Sequence, residues 1–153
     1  MVSPELLRRY RLFGGLTAEE LAGVAMITRE ACFADKAVIF SDGNPATHVY
    51  MLESGVVELV HHIVVDDRTV PVQVGSIPPG EPFGWSAFVE PYRLTATAQC
   101  KGPVKAIVIE AAELRAMSEA NCHLGYTIMK KIAGVLAERL SYSRVQLAAC
   151  RPG

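Results

Sequence analysis

The side chains able to act as nucleophiles, bases or metal ligands are few and scattered. His61 and His62 are adjacent, so in an extended segment their rings point to opposite faces and do not share one metal ion. His48 and His123 show no partner at ligand spacing. The four cysteines, Cys32, Cys100, Cys122 and Cys150, form no C-x-x-C, and no histidine falls at a zinc spacing from them. Neither Cys32 nor Cys100 has a histidine or basic cluster beside it to mark an activated thiol. The chain holds no G-x-S-x-G, H-E-x-x-H or P-loop. The residues give no catalytic motif, no resident metal and no cofactor motif, so the expectation is a binding protein and not an enzyme.

Composition narrows the class further. The chain has 153 residues, half of them hydrophobic and 20% charged, which excludes intrinsic disorder and fits one domain with a real core. A formal net charge of −1 removes the basic signature of an autonomous nucleic-acid binder. Mean hydropathy is +0.23, yet no apolar run approaches the ~20 residues of a bilayer span. The opening MVSPELLRRYRLF has Glu5, paired arginines and no apolar h-region, so it does not read as a signal peptide. Reduced thiols and a cytoplasmic setting are expected.

Three zones follow from periodicity, within one domain expected to span 1–153. N-terminal helices are expected over 1–32: Ser3-Pro4 is a cap followed by proline at the first helical position, and Thr17 to Glu20 is a capping box. Gly14-Gly15 separates the two helices. Over 33–110 short β-rich runs (AVIF, HVYML, VVELVHHIVV, VPVQVGSI, TATAQC, VKAIVIE) alternate with glycine, proline and Asp/Asn turns. That pattern predicts an antiparallel sandwich or barrel, with Asp66-Asp67-Arg68 at the tip of a long hairpin. Over 111–150 helix returns: a short segment, then a long helix capped by Asn121. Its apolar stripe is Leu124, Ile128, Ile132, Val135/Leu136, Leu140 and Leu147, with Lys130, Lys131, Arg139 and Arg144 on a solvated face. The class is α+β: an antiparallel β-roll flanked by N-terminal helices and a long C-terminal helix.

Two stretches carry a resemblance. Ile39-Phe40-Ser41-Asp42-Gly43-Asn44-Pro45-Ala46, with Tyr50, Gly55, Val57 and Glu58 behind it, and Pro79-Gly80-Glu81-Pro82-Phe83-Gly84-Trp85, closed by Leu94-Thr95-Ala96-Thr97, resemble the cyclic-nucleotide-binding domain family. That family includes the sensory domain of catabolite activator protein. The opening LFGGLTAEEL resembles its N-terminal helices. The resemblance implies a stand-alone sensory domain whose ligand pocket is lined by Phe83, Gly84, Trp85, Ser86, Ala87, Arg93, Leu94, Thr95 and Ala96. Gly84 is expected to let backbone approach the ligand. Trp85–Phe88 is expected to form one helical turn whose free N–H groups, those of Ser86 and Ala87, face an anion.

The cassette departs from the family's pattern at two places. The family's acid that accepts from the ribose 2′-hydroxyl falls at Trp85, and an indole has one donor and no acceptor. The family's phosphate-binding arginine falls at Leu94. Arg93, one residue early, points to the other face if the strand register holds, but from a loop it reaches an anion above the turn. Each charge-assisted bond is worth ~1.5–3 kcal/mol, so losing both removes roughly 3–6 kcal/mol, or about a hundredfold to ten-thousandfold in affinity. The resemblance therefore implies a small-molecule ligand, nucleotide-like or another anion, with weak or absent cAMP and cGMP binding. It also implies a homodimer through the long helix, whose seam would use Ile128, Ile132, Leu136, Leu140 and Leu147. A protein partner is the alternative use of that helix. The chain stops about where the family's transcription factors begin their helix-turn-helix, so no DNA binding by this chain alone and no membrane contact are expected.

Overall fold

The computed structural model describes residues 1–150; residues 151–153, the last three of the expected 1–153 domain, lie outside the described residues. Ser3 accepts a hydrogen bond from the Leu6 N–H and opens α1 (Pro4–Arg8), with Pro4 in the first turn. A 3-10 turn, Arg11–Phe13, leads through Gly14-Gly15 to α2 (Ala18–Ala25). The capping box closes both ways: the Glu20 N–H donates to Thr17 Oγ1 at 3.1 Å and the Thr17 N–H to Glu20 Oε1 at 2.8 Å.

The sheet begins earlier than the expected boundary at 33. Residues 28–33 form β1 (Thr28–Phe33), inside the zone assigned to helix. TREACF has no clean alternation of its own; all six residues pair with 104–109 across the sheet, and that pairing decides their conformation. The other strands are β2 (Val38–Phe40), β3 (His48–Val65), β4 (Arg68–Ile77), β5 (Pro82–Phe83) and β6 (Thr97–Glu110). All pairings are antiparallel, in the order β1-β6-β3-β4, with β2 on β6 and β5 on β3. Four expected runs merge into two strands, because the turn-like ESG and KGP lie inside β3 and β6. They face each other where the β3–β6 register slips around Ser54. A Cβ on Gly55 would lie 2.4 Å from the Pro103 carbonyl oxygen, so only glycine allows this approach. The hairpin tip is Asp66-Asp67 alone, both at positive φ, since Val65 already pairs with Arg68.

Two apolar clusters result. One fills the roll, around Leu52, Val57, Ile77, Phe83 and Val104. The other lies between roll and helices and joins Leu7, Phe13, Leu21, Met51, Ile107 and Ile128. α3 (Ala111–Ala120) is followed by α4 (Cys122–Ala149), whose first N–H groups, those of His123 and Leu124, donate to the Asn121 side chain. On α4, Leu124, Ile128, Ile132 and Val135 are buried, the helix packing mainly on α3 and the Arg11–Phe13 turn, whereas Leu140 and Leu147 are 52% and 70% exposed. The stripe therefore divides: its first half belongs to the core, and residues 140–150 are exposed throughout. Gly134 meets nothing within 4 Å, so it marks no close helix approach inside this chain. No helix among the described residues is long and apolar enough to cross a membrane.

The start of α4 is tied to α2 by the Glu20 carboxylate, which accepts from Asn121 Nδ2 at 2.9 Å and from His123 Nδ1 at 2.9 Å. His123 and His48 thus both have partners, His48 facing Glu110 at 3.1 Å, contrary to the expectation from spacing. The Thr17 N–H above all, and the His123 and Asn121 donors with it, lower the Glu20 carboxyl to about 2 against the opposing effect of burial. A depressed carboxyl stabilises the fold above its ordinary range and stops doing so as pH falls through about 2. Glu20→Gln is expected to lower the Tm at pH 7 by roughly 4–8 °C, the scale of one charge-assisted bond of about 2 kcal/mol in a domain of this size. The gap to the wild type should close as pH falls from about 5 towards 2. A thermal-melt series against pH checks this, and a gap unchanged at low pH would contradict it.

Candidate functional site

The segment between β5 and β6 is built as a sharp corner. Pro82 and Phe83 pair with Met51 and Tyr50 on β3, and Phe83 stacks on Tyr50 with ring centroids 4.9 Å apart. Gly84 then takes a left-handed conformation, φ +73°. A Cβ on it would lie 2.9 Å from Tyr50 Cδ2 and 3.1 Å from the His48 carbonyl oxygen. Gly84 is thus required by the β3 wall behind it, and it also lines the cassette cavity. A 3-10 turn, Trp85–Phe88, follows. Arg115 of α3 braces it by donating to the Ala87 carbonyl, while its guanidinium lies 4.3 Å over the Tyr92 ring.

Seven of the nine expected site residues, Phe83, Gly84, Trp85, Ser86, Leu94, Thr95 and Ala96, line one cavity of about 70 Å³. Ala87 and Arg93 are not in its wall. Ala87 is buried and its N–H already donates to the Gly84 carbonyl at 3.1 Å, so it is not free for an anion. Arg93 is exposed, and its Nη1 donates to the Gly43 carbonyl at 3.0 Å. The cause is register. The Gly43 N–H donates to the Leu94 carbonyl at 2.8 Å, the Leu94 N–H to the Asn44 carbonyl at 2.9 Å and the Ala46 N–H to the Tyr92 carbonyl at 2.8 Å. At this isolated bridge, with Pro45 opposite Arg93, Leu94 is 6% exposed and lines the cavity, whereas the Arg93 side chain is exposed. Trp85, the one tryptophan of the chain, is half-buried and both lines the cavity and packs on the core.

Phe40, Leu59 and Arg139 complete the wall. The sequence predicts a solvated Arg139 on the long helix; in the structure it is half-buried over the cassette. Its Nη2 donates to the Pro82 carbonyl at 2.5 Å, and its Nη1 is buried with no hydrogen-bond partner among the described residues. Burial pushes the guanidinium below its usual range, partly offset by Glu81 and Glu138 nearby. The signal was present in the spacing: Arg139 stands seven residues after Ile132 and four after Val135, on the buried stripe itself.

A wider groove of about 450 Å³ lies between Gly14-Gly15 and α4. Two of its charged groups have partners: Arg11 donates to both Glu138 oxygens at 3.1 and 3.2 Å, and His123 is held by Glu20, while Lys130 and Lys131 form no ion pair among the described residues. All four cysteines are free, with only Cys100 buried. Among the described residues no group of three or more His, Cys, Asp and Glu side chains is arranged to hold a metal ion.

Comparison with known proteins agrees with this geometry. The family model described as the cyclic nucleotide-binding domain matches residues 30–121. A solved structure from Geobacter metallireducens, described as a cyclic nucleotide-binding protein, is 38% identical, covers 92% of this chain and 99% of its own, and superposes with a TM-score of 0.80. A protein named as a potassium channel from Rhodopseudomonas palustris is 26% identical over 117 residues, 76% of this chain and 27% of the channel. Glutaminase 1 of Bradyrhizobium diazoefficiens is 29% identical over 131 residues, 84% of this chain and 20% of the glutaminase. The chain spans about a quarter of the length of these curated relatives or less. The chain belongs to the cyclic nucleotide-binding domain family, a family of regulatory sensor domains.

Because Gly84 combines positive φ with a tight wall, Gly84→Ala is expected to cost about 2 kcal/mol or more. Urea unfolding should show a lower midpoint with an unchanged slope. A midpoint equal to that of the wild type would contradict the corner described here.

Proposed function

We propose that this domain is a regulatory sensor that takes a small anionic ligand in the cassette cavity and binds cAMP and cGMP weakly or not at all. The observation that carries this reading is the cavity itself. Trp85 and Leu94 stand where the family pattern has an acid and an arginine, and the remaining space is about 70 Å³. Pockets for organic ligands of nucleotide size run from roughly 300 Å³ upward. An apolar side chain cannot accept from a ribose hydroxyl or donate to a cyclic phosphate, so both groups would be desolvated without return.

The signal leaves through α4. The helix both walls the cavity, through Arg139, and extends past the roll, exposing Leu140, Tyr142, Val145 and Leu147. A ligand that binds better with α4 seated shifts the population towards that arrangement. The exposed end then serves a homodimer seam or a protein partner, in a cytoplasmic setting and without an enzymatic step. A second reading, a true cAMP or cGMP receptor, is favoured by the extent of the family match over residues 30–121. A third, a ligand-free interaction module, is favoured by the smallness of the cavity.

Titration calorimetry separates these readings. Wild-type protein is expected to bind cAMP only in the millimolar range or not at all, and Trp85→Glu with Leu94→Arg to tighten it by about a hundredfold or more. Wild-type binding at a few micromolar would establish the second reading instead. A thermal-shift screen adds the third arm, since any ligand selective for the native state raises the Tm. No response from any small anion would favour the ligand-free module.

A further inference from the structure

The wall of the cassette cavity contains one charged group, and it comes from the helix that covers the cavity and not from the strands that form it. Arg139 has a divided guanidinium: Nη2 is fixed on the Pro82 carbonyl, and Nη1 is buried with no partner among the described residues. A buried donor left unpaired is destabilising and uncommon, and a bound water, ion or ligand group would satisfy it. The nearby carboxylates do not take it. Both oxygens of Glu138 accept from Arg11, and Glu81 also faces Arg11, at 3.8 Å. Among the described residues no carboxylate lies within ion-pair distance of Arg139. The cavity also presents Ser86 and Thr95, and its remaining surface is largely apolar, from Phe40, Leu59, Phe83 and Leu94.

We propose that Arg139 is the anion anchor of this cavity, taking over from α4 the role lost where Leu94 replaces a strand arginine, and that it receives the oxyanion end of a small carboxylate or phosphate ligand on Nη1. This rests on reading the cavity as a ligand site. A charged N–H donor in a largely apolar cavity suits a carboxylate or phosphate oxygen. The consequence is mechanical: ligand charge bonds directly to the helix that leaves the roll, so occupancy draws α4 onto the cassette.

The test uses two probes, inorganic phosphate and benzoate, at matched ionic strength, read by Trp85 fluorescence and by the 15N signal of the Arg139 side chain. At least one probe is expected to bind wild-type protein and to move the Arg139 signal, which also tells phosphate from carboxylate recognition. Arg139→Gln should weaken that probe at least tenfold, Arg139→Lys less, and Leu94→Arg added to Arg139→Gln should restore it. Equal affinity in wild type and Arg139→Gln, or binding with an unmoved Arg139 signal, would overturn the proposal while leaving the cavity a ligand site. Binding by the Leu94→Arg variant but not by wild type would do the same. Binding by neither would overturn both the anchor and the ligand-site reading. If the Arg139 variants fail to fold, the wild-type Arg139 signal decides alone.

Discussion

The pairing of residues 92–94 with 43–46 is the constraint on which the site depends. Three backbone hydrogen bonds, from Gly43, Ala46 and Leu94, hold that pairing in one register. Side chains alternate along it, so the leucine enters and the arginine beside it leaves. Slipping the pairing by one residue would bring Arg93 inward, but it would break those bonds and expose Leu94, which is buried in the core cluster. Hydrogen bonding and apolar burial therefore act together to keep the strand guanidinium outside. The strands then give the cavity wall no charged side chain, and a charge enters that wall only from another element. α4 supplies it.

The roll around this pairing is arranged to keep the corner rigid. β5 and the Tyr50–Phe83 stack fix one end of the 84–88 turn, and Arg115 fixes the other. The Glu20 carboxylate, joining the start of α2 to the start of α4, anchors the helix at the end remote from its exposed tip. α4 is thus held firmly through Val135 and only by Arg139 and its neighbours near the cassette.

Much of the fold was legible because it rests on local chemistry. Caps at Ser3, Thr17 and Asn121 formed as their side chains require, and alternation with turn residues marked the roll. What was not legible depended on pairing across the sheet. β1 has no pattern of its own, and the ESG and KGP segments look like turns until two bulges are placed face to face. In the site, Phe83–Ser86 and Leu94–Ala96 were recognisable from the glycine corner and the family likeness. Ala87 and Arg93 stand outside the cavity wall because the Ala87 N–H closes the 3-10 turn and Arg93 lies at a bridge and donates to the Gly43 carbonyl, contacts that local spacing does not reveal. Arg139 is hard to place from sequence because a long charged side chain can bury its stem and still reach water, even where its spacing falls on the buried stripe.

The most direct measurement is a crystal structure of the protein grown with cAMP in excess and phosphate present. With the register found here, the cassette should hold no nucleotide, Leu94 should remain inside, and any density should be a small oxyanion against Arg139 Nη1. A fully occupied cyclic nucleotide, with Arg93 turned inward onto its phosphate and Trp85 displaced from the ribose space, would contradict it.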